Sequence, residues 1–328
     1  MSLYTAETRR LTKRRFTRFF VIGVVVVLAA IAVGMFFTHE KSTPQVVAAA
    51  QAKADREFQQ ATVQADAERK ACASQPGADC TNVWTPTREE YRAEWYMPPT
   101  FDFRKQFGDM VTTLAAILAM GAFVIGASYV GAEWSSGGMM NLLLWRPQRL
   151  KVLSTKLSAL LVVLTGVTVV LSAVWTGIFA LVANLRGTLA GMTSGAWQSI
   201  LLMELRGLVL VLFAGALGFA LASLGRHTAV AMGVAIGVIV LFQFGLGTVL
   251  SLAQVKYMEA YLIPVWGMAW MNKSVELTDY NAPCVGAGDS CVQPTLTLTW
   301  PMAGGVLATV LVLGVGLAMW TMRSRDIT

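Results

Sequence analysis

The sequence predicts an all-α membrane protein with six transmembrane helices, both termini cytoplasmic, and a mostly helical extracytoplasmic insertion between the first and second spans. Three observations carry this reading. The 328 residues are 55% hydrophobic and 14% charged, with a mean hydropathy of +0.57, whereas soluble domains carry about 25% charged residues. Six apolar runs are each long enough to cross a bilayer as a helix, which takes about 20 residues. The cations between those runs gather on one side.

Taken in order, residues 1–18 are basic, and 19–37 form the first span, with VVVVLAAIAV at its centre. That run is too long for a signal-peptide core and no cleavage site follows promptly, so it is expected to be retained. Residues 38–109 are the insertion, and 110–132 the second span. Residues 133–156 make a cytoplasmic loop, and 157–253 hold spans three to five (157–183, 207–224 and 229–253). A tight turn, Gly225 to Thr228, divides the last two of these. Residues 254–300 return to the outer side with short interfacial helices, and 301–328 are the sixth span and tail. Gly121, Gly126, Gly233 and Gly237 are expected to let helices pack closely.

Charge sets the orientation. Residues 1–18 carry Arg9, Arg10, Lys13, Arg14, Arg15 and Arg18 against Glu7. The 133–156 segment carries Arg146, Arg149, Lys151 and Lys156 against Glu133. With Arg226 and the tail, one side reaches +10 and the other −3, which together make the chain's net +7. The positive-inside rule places both termini in the cytoplasm. The basic balance is therefore topological and implies no nucleic acid.

Cys72 and Cys80 fall in the first outer segment and Cys284 and Cys291 in the last. Cysteines confined to the oxidising face read as two disulfides, with three connectivities open and the local pairs the simplest. No histidine lies near either pair to favour zinc. Within the insertion, residues 44–71 have a strong helix composition, with a thin apolar face of Val47, Phe58 and Val63. A second short helical stretch covers 88–96. Trp84, Tyr91, Trp95, Tyr96, Phe101 and Phe103 read as an interfacial aromatic belt, with a substrate-contacting lid as the alternative.

Catalytic chemistry is absent from the sequence. There is no phosphate loop, no H-E-x-x-H and no G-x-S-x-G elbow, and His39 and His227 cannot form a centre together. His227 reads as solvated or headgroup-facing. Glu204 and Arg206, at the outer start of the fourth span, read as an interfacial ion pair. The chain needs no cofactor of its own, is not expected to be an enzyme, and must draw energy from elsewhere.

Residues 127–156, ASYVGAEWSSGGMMNLLLWRPQRLKVLSTK, are the most informative. The second span ends on Glu133; Ser135-Ser136-Gly137-Gly138 breaks it with capping hydroxyls. Residues 139–145 then read as a short apolar helix stopped by Arg146-Pro147. This is a surface helix between a carboxylate and several cations, on which a soluble partner could dock.

That stretch resembles the corresponding part of type-2 ATP-binding-cassette (ABC) exporter permeases. There, a glutamate ends the second span, a glycine follows four residues later, and a Pro–Arg segment and a lysine introduce the third. Here those positions are Glu133, Gly137, Pro147, Arg149 and Lys156. Leu224-Gly-Arg226-His-Thr228-Ala229 is similar to the family's basic turn between spans four and five, and Arg325-Asp326-Ile327 to its C-terminal ending. The N-terminal stretch with Glu7, Arg9 and Arg10 is similar to its surface-lying connector helix.

The resemblance implies a transporter of two permeases, this chain with a second copy or a paralogue, and two separate P-loop ATPase subunits that bind ATP and magnesium. It makes the loop between spans two and three the main coupling helix, with the Arg226 turn a smaller contact. Glu133, Arg146 and Arg149 are expected to transmit motion, and Met139, Leu142 and Leu143 to act as apolar anchors. Phe242 and Gln243 are candidates for facing a central path. The cargo would be lipophilic or amphipathic (a drug, a peptide or a lipid-like product), and the location a bacterial plasma (inner) membrane. The rival reading is a membrane anchor or sensor, with the insertion as its binding module.

Overall fold

The computed structural model describes residues 3–74, 80, 83–145, 148–279, 282 and 293–324. In chain order, the helices begin with α1 (Leu3–Lys13), α2 (Arg15–Thr38) and α3 (Pro44–Ala73). After strand β1 (Phe101–Asp102) come α4 (Phe103–Ser135), α5 (Gly138–Trp145) and α6 (Arg149–Arg186). Strand β2 (Gly187–Thr188) precedes α7 (Ser194–Gly225) and α8 (Thr228–Val238). A π-helical turn over Ile239–Leu246 joins α8 to α9 (Gly247–Leu252). Then follow α10 (Ile263–Asn272), β3 (Ser274–Thr278), β4 (Thr295–Thr299) and α11 (Trp300–Ser324).

Among the described residues, six helices are long and apolar enough to span a membrane: α2, α4, α6, α7, the continuous α8–α9 run and α11. Several outrun the apolar stretches that announced them. The fourth helix starts at Phe103 and the sixth at Arg149, because polar residues flanking a span continue the helix wherever their side chains reach water or a partner. Arg149, Lys151 and Lys156 therefore stand on α6 rather than in a loop.

The chain divides into two compact units. The first comprises Met1–Ala29, Phe107–Thr176 and Thr193–Thr328. Its centre is the pair α4 and α7, whose backbones touch. A Cβ on Gly126 would lie 2.2 Å from the Gly215 carbonyl oxygen, and one on Gly218 2.2 Å from that of Phe123. Small residues permit this approach, the usual means of helix association where lipid removes the hydrophobic drive. Gly121 meets the Phe20 ring, whereas among the described residues of this chain nothing lies within 4 Å of a Cβ built on Gly233 or Gly237. In α2, α8–α9 and α11 only 11%, 6% and 11% of the most apolar window is buried, leaving those helices as open apolar faces.

The 254–300 segment departs from the short helices expected there. It holds a 3-10 turn and α10, but an antiparallel hairpin follows, with Val275 opposite Leu298 and Leu277 opposite Leu296. Both strands alternate apolar and polar residues, the two-residue period of a strand, and Leu277 and Leu298 are buried against α10 and Ala303. Cys284 and Cys291 lie outside the described residues.

The second unit comprises Ala30–Gln106 and Gly177–Met192. Its long helix α3 is capped by Thr43, whose hydroxyl accepts the Val46 N–H at 3.3 Å, with Pro44 in the first turn, a standard N-terminal cap. The face it buries is Ala50, Ala54 and Ala65, whereas Val47 and Val63 are exposed. Two 3-10 turns, Arg88–Glu90 and Ala93–Tyr96, replace the short helix expected over 88–96. Phe58 packs edge-on to Tyr91, Arg88 pairs with Asp55, and Lys53 lies over the Tyr96 ring. Cys72 and Cys80 are joined in a disulfide. Phe101 and Phe103 are fully buried, with Phe101 against Phe179 and His39. They form this unit's core rather than an interfacial belt, while Trp84 and Trp95 stay exposed.

Candidate functional site

The surface segment after the second span is a helix seated on one face and open on the other. Ser135 ends α4, and its hydroxyl and that of Ser136 bond back to the Ala132 and Glu133 carbonyls. They close α4 rather than cap α5. Gly137 then reverses the chain at φ +72°, a conformation that favours glycine at a helix C-terminus. On α5, Met139 is fully buried and Leu143 nearly so, Leu142 is half-buried, and Leu144 and Trp145 are 76% and 86% exposed. Arg146 and Pro147 lie outside the described residues, and Arg149 is half-buried at the start of α6.

Beside this helix, three chain segments meet in a buried ionic cluster. Lys156 has no solvent exposure, and its Nζ lies 2.8 Å from Glu7 Oε2 and 2.7 Å from Glu133 Oε2. Glu7 is 1% exposed and also accepts the Tyr129 hydroxyl at 2.7 Å, while Arg10 stands 3.7 Å from its other oxygen. Arg14 donates to the Ser128 carbonyl at 3.0 Å. The connector α1, the end of α4 and the start of α6 are thus tied together. A buried carboxylate needs such partners, since charge removed from water costs several kcal/mol unless paired and hydrogen-bonded.

Two members of this cluster, Glu7 and Tyr129, are not among the sequence-derived candidates. Glu7 entered the sequence reading as a charge to be subtracted and a part of the connector. The available signal was helical spacing. Glu7 stands one turn before the buried Leu11, and Lys156 lies on the stripe of Leu153 and Leu160, so each is an ionisable residue on an apolar face.

The turn between spans four and five reaches the same end of the molecule. Arg226 takes a left-handed conformation and lies 5.1 Å over the Trp134 ring, next in sequence to Glu133. His227 is exposed and caps α8, its Nδ1 accepting the Ala229 N–H at 3.0 Å. Gly131 meets Thr228 so closely that a Cβ there would sit 2.5 Å from its hydroxyl. The structure therefore brings Glu133, Lys156 and Arg226 to the same end, with Glu133 on Lys156 and the neighbouring Trp134 under Arg226, and Met139 and Leu143 buried on the adjoining α5.

Phe242 and Gln243 lie apart from these, on the π-helical turn of the fifth span. Phe242 is 47% exposed, and the Gln243 Oε1 is buried without a hydrogen-bond partner. The Glu204–Arg206 ion pair does not form: Glu204 accepts the Thr176 hydroxyl, and Arg206 bonds the Met271 carbonyl. Two residues apart on a helix, they point about 200° away from each other. Among the described residues, no group of three or more His, Cys, Asp or Glu is placed to hold a metal ion.

Comparison with known proteins agrees with the family resemblance. A family model described as ABC-2 family transporter protein matches residues 2–324. No curated protein matches the chain.

Proposed function

Because the chain belongs to the ABC-2 family of transporter proteins and is a membrane subunit of an ABC transporter, we propose that it is the permease of an exporter driven by a separate P-loop ATPase subunit. ATP and magnesium bind in that partner. The coupling helix is α5, seated on the ATPase, with the Arg226 turn as a second contact. The observation that carries this reading is the exposure of Leu144 and Trp145 on a helix fixed from beneath by buried Met139. Large apolar side chains displayed together at a surface favour a covering partner.

Motion of α5 passes through the Gly137 turn to Glu133, and from there through Lys156 to Glu7. ATP-driven closure of the ATPases then rocks the permease between inward-open and outward-open states. A second permease copy or paralogue, as the family resemblance implies, packs in the same membrane, where the bare apolar faces of α2, α8–α9 and α11 are open to it and to lipid. The scarcity of ionisable groups in the spans suits a lipophilic or amphipathic cargo, with Phe242 and Gln243 as candidates on its path. In this arrangement both termini and α5 are cytoplasmic at a bacterial plasma membrane, and residues 38–109 face outward.

The test is to purify the tagged protein in mild detergent from its native membrane and identify what accompanies it. A P-loop ATPase should co-purify, and be lost when Leu144 and Trp145 are both replaced by Ala. Glu133→Ala should leave expression intact and uncouple hydrolysis from transport, since Lys156 keeps its bond to Glu7. Transport unchanged in Glu133→Ala would sink the coupling role. Recovery of the chain alone would shift the reading to an anchor or sensor.

A further inference from the structure

Away from the coupling end, α6, α7, α10 and α11 enclose an apolar groove of about 320 Å³. Its walls include Val209, Phe213 and Ala216 on α7 and Leu307, Ala308 and Leu311 on α11. From Val209 to Ala216 it runs about 10 Å along the helix at about 1.5 Å per residue. Trp270 closes one end, its ring so near Gly304 that a Cβ there would lie 2.9 Å away.

At that end stands a cation. Arg206 is three residues before Val209, so Arg206, Val209, Phe213 and Ala216 form one stripe of α7. The Trp270 indole N–H donates to the Arg206 carbonyl at 2.9 Å, and the Arg206 guanidinium lies 5.9 Å over the Trp300 ring. Its bond to the Met271 carbonyl is long, 3.4 Å, and a guanidinium has five N–H donors in a fork that matches phosphate. Glu204, the nearest acid in sequence, is engaged by Thr176 and does not neutralise it.

The geometry points to a resident acidic phospholipid, with one acyl chain in the groove and its phosphate on Arg206. Inside a bilayer the chain adds shape but little driving force, because lipid tails are as apolar as the groove. Selectivity therefore rests on the charge at the rim, where Trp270 and Trp300 hold the guanidinium at headgroup level.

Native mass spectrometry of the full-length protein in detergent, titrated with palmitoyl-oleoyl phosphatidylglycerol or the matching phosphatidylcholine, tests this. The parent should retain one phosphatidylglycerol per chain and bind it more tightly than phosphatidylcholine. Arg206→Gln should weaken that binding roughly tenfold, the factor that about 1.4 kcal/mol represents, and Arg206→Lys should restore part of it. Ala308→Trp, which fills the groove, should abolish retention while the protein stays monodisperse. Equal binding by Arg206→Gln and the parent, or equal affinity for the two lipids, would overturn the assignment. Lipid retained by the monomer and never by the dimer would overturn it too, by giving the groove to a second copy.

Discussion

Replacing Lys156 by Met removes the ammonium that lies 2.8 Å from Glu7 and 2.7 Å from Glu133 while preserving length and apolar volume. At an effective dielectric of about 20, each contact carries roughly 6 kcal/mol of gross attraction. Desolvation offsets most of this, and the net loss on breaking such a buried pair is about 3–5 kcal/mol, chiefly from the charge left behind. Here that charge is Glu7, 1% exposed, whose remaining partners are the Tyr129 hydroxyl and an Arg10 contact at 3.7 Å. Glu133, 22% exposed, can recruit water. The cost should therefore fall on Glu7, and Glu7→Gln in the Lys156→Met background should recover most of it. Reversible unfolding in mixed micelles, read by tryptophan fluorescence over the four corners of the double-mutant cycle, measures the coupling. Strictly additive effects of the two substitutions would refute the reasoning.

Met139→Ala should destabilise the protein by about 2–5 kcal/mol, as expected for a truncated buried side chain, and raise hydrogen exchange in α5. Leu144→Ala should change stability by no more than about 0.5 kcal/mol yet lower transport-coupled ATP hydrolysis; a comparable loss of stability would show that α5 packs differently. In the second unit, a hydrogen bond from Arg88, then one from Gln51, holds the Asp55 carboxyl below its ordinary value of 3.8. A depressed carboxyl keeps its contribution above the unfolded value and loses it only as pH falls through the lower folded one, so the contact should persist at pH 3.8. Hydrogen exchange over residues 86–96 should reveal this, with Arg88→Ala moving the transition upward; an unmoved transition would detach Arg88 from Asp55. Replacing Cys72 and Cys80 by Ser opens a link between residues 8 apart. Loop entropy puts the loss at about 2.5 kcal/mol, and limited proteolysis should show faster cutting in 38–109 with the spanning helices unaffected.

The spans, the long α3 and the short surface helix after Glu133 were legible in the sequence because each follows from a local property. Apolar length, helix-forming composition and a Gly-rich break act over neighbouring residues. The β3–β4 hairpin was legible in principle, through the alternation in Thr295-Leu-Thr-Leu-Thr, although the expectation for residues 254–300 was of short interfacial helices alone. Lys156 was marked by position in a motif, yet its place on an apolar stripe, which signals a buried charge, went unused. Of its two carboxylate partners, the fully buried one is Glu7, 149 residues away, and no periodicity encodes a pairing at that distance.

By itself, then, the sequence determined how many helices are long and apolar enough to cross a membrane, which family the chain resembles and where a short surface helix lies. Tertiary structure alone decided that Glu7 and Lys156 are buried together, that Arg206 turns from Glu204 toward Trp300, and that alanines rather than valines form the covered face of α3. The physical reason is the same in each case. Hydropathy and propensity act along the chain, whereas the burial of a charge is permitted only by the groups that other segments bring to meet it.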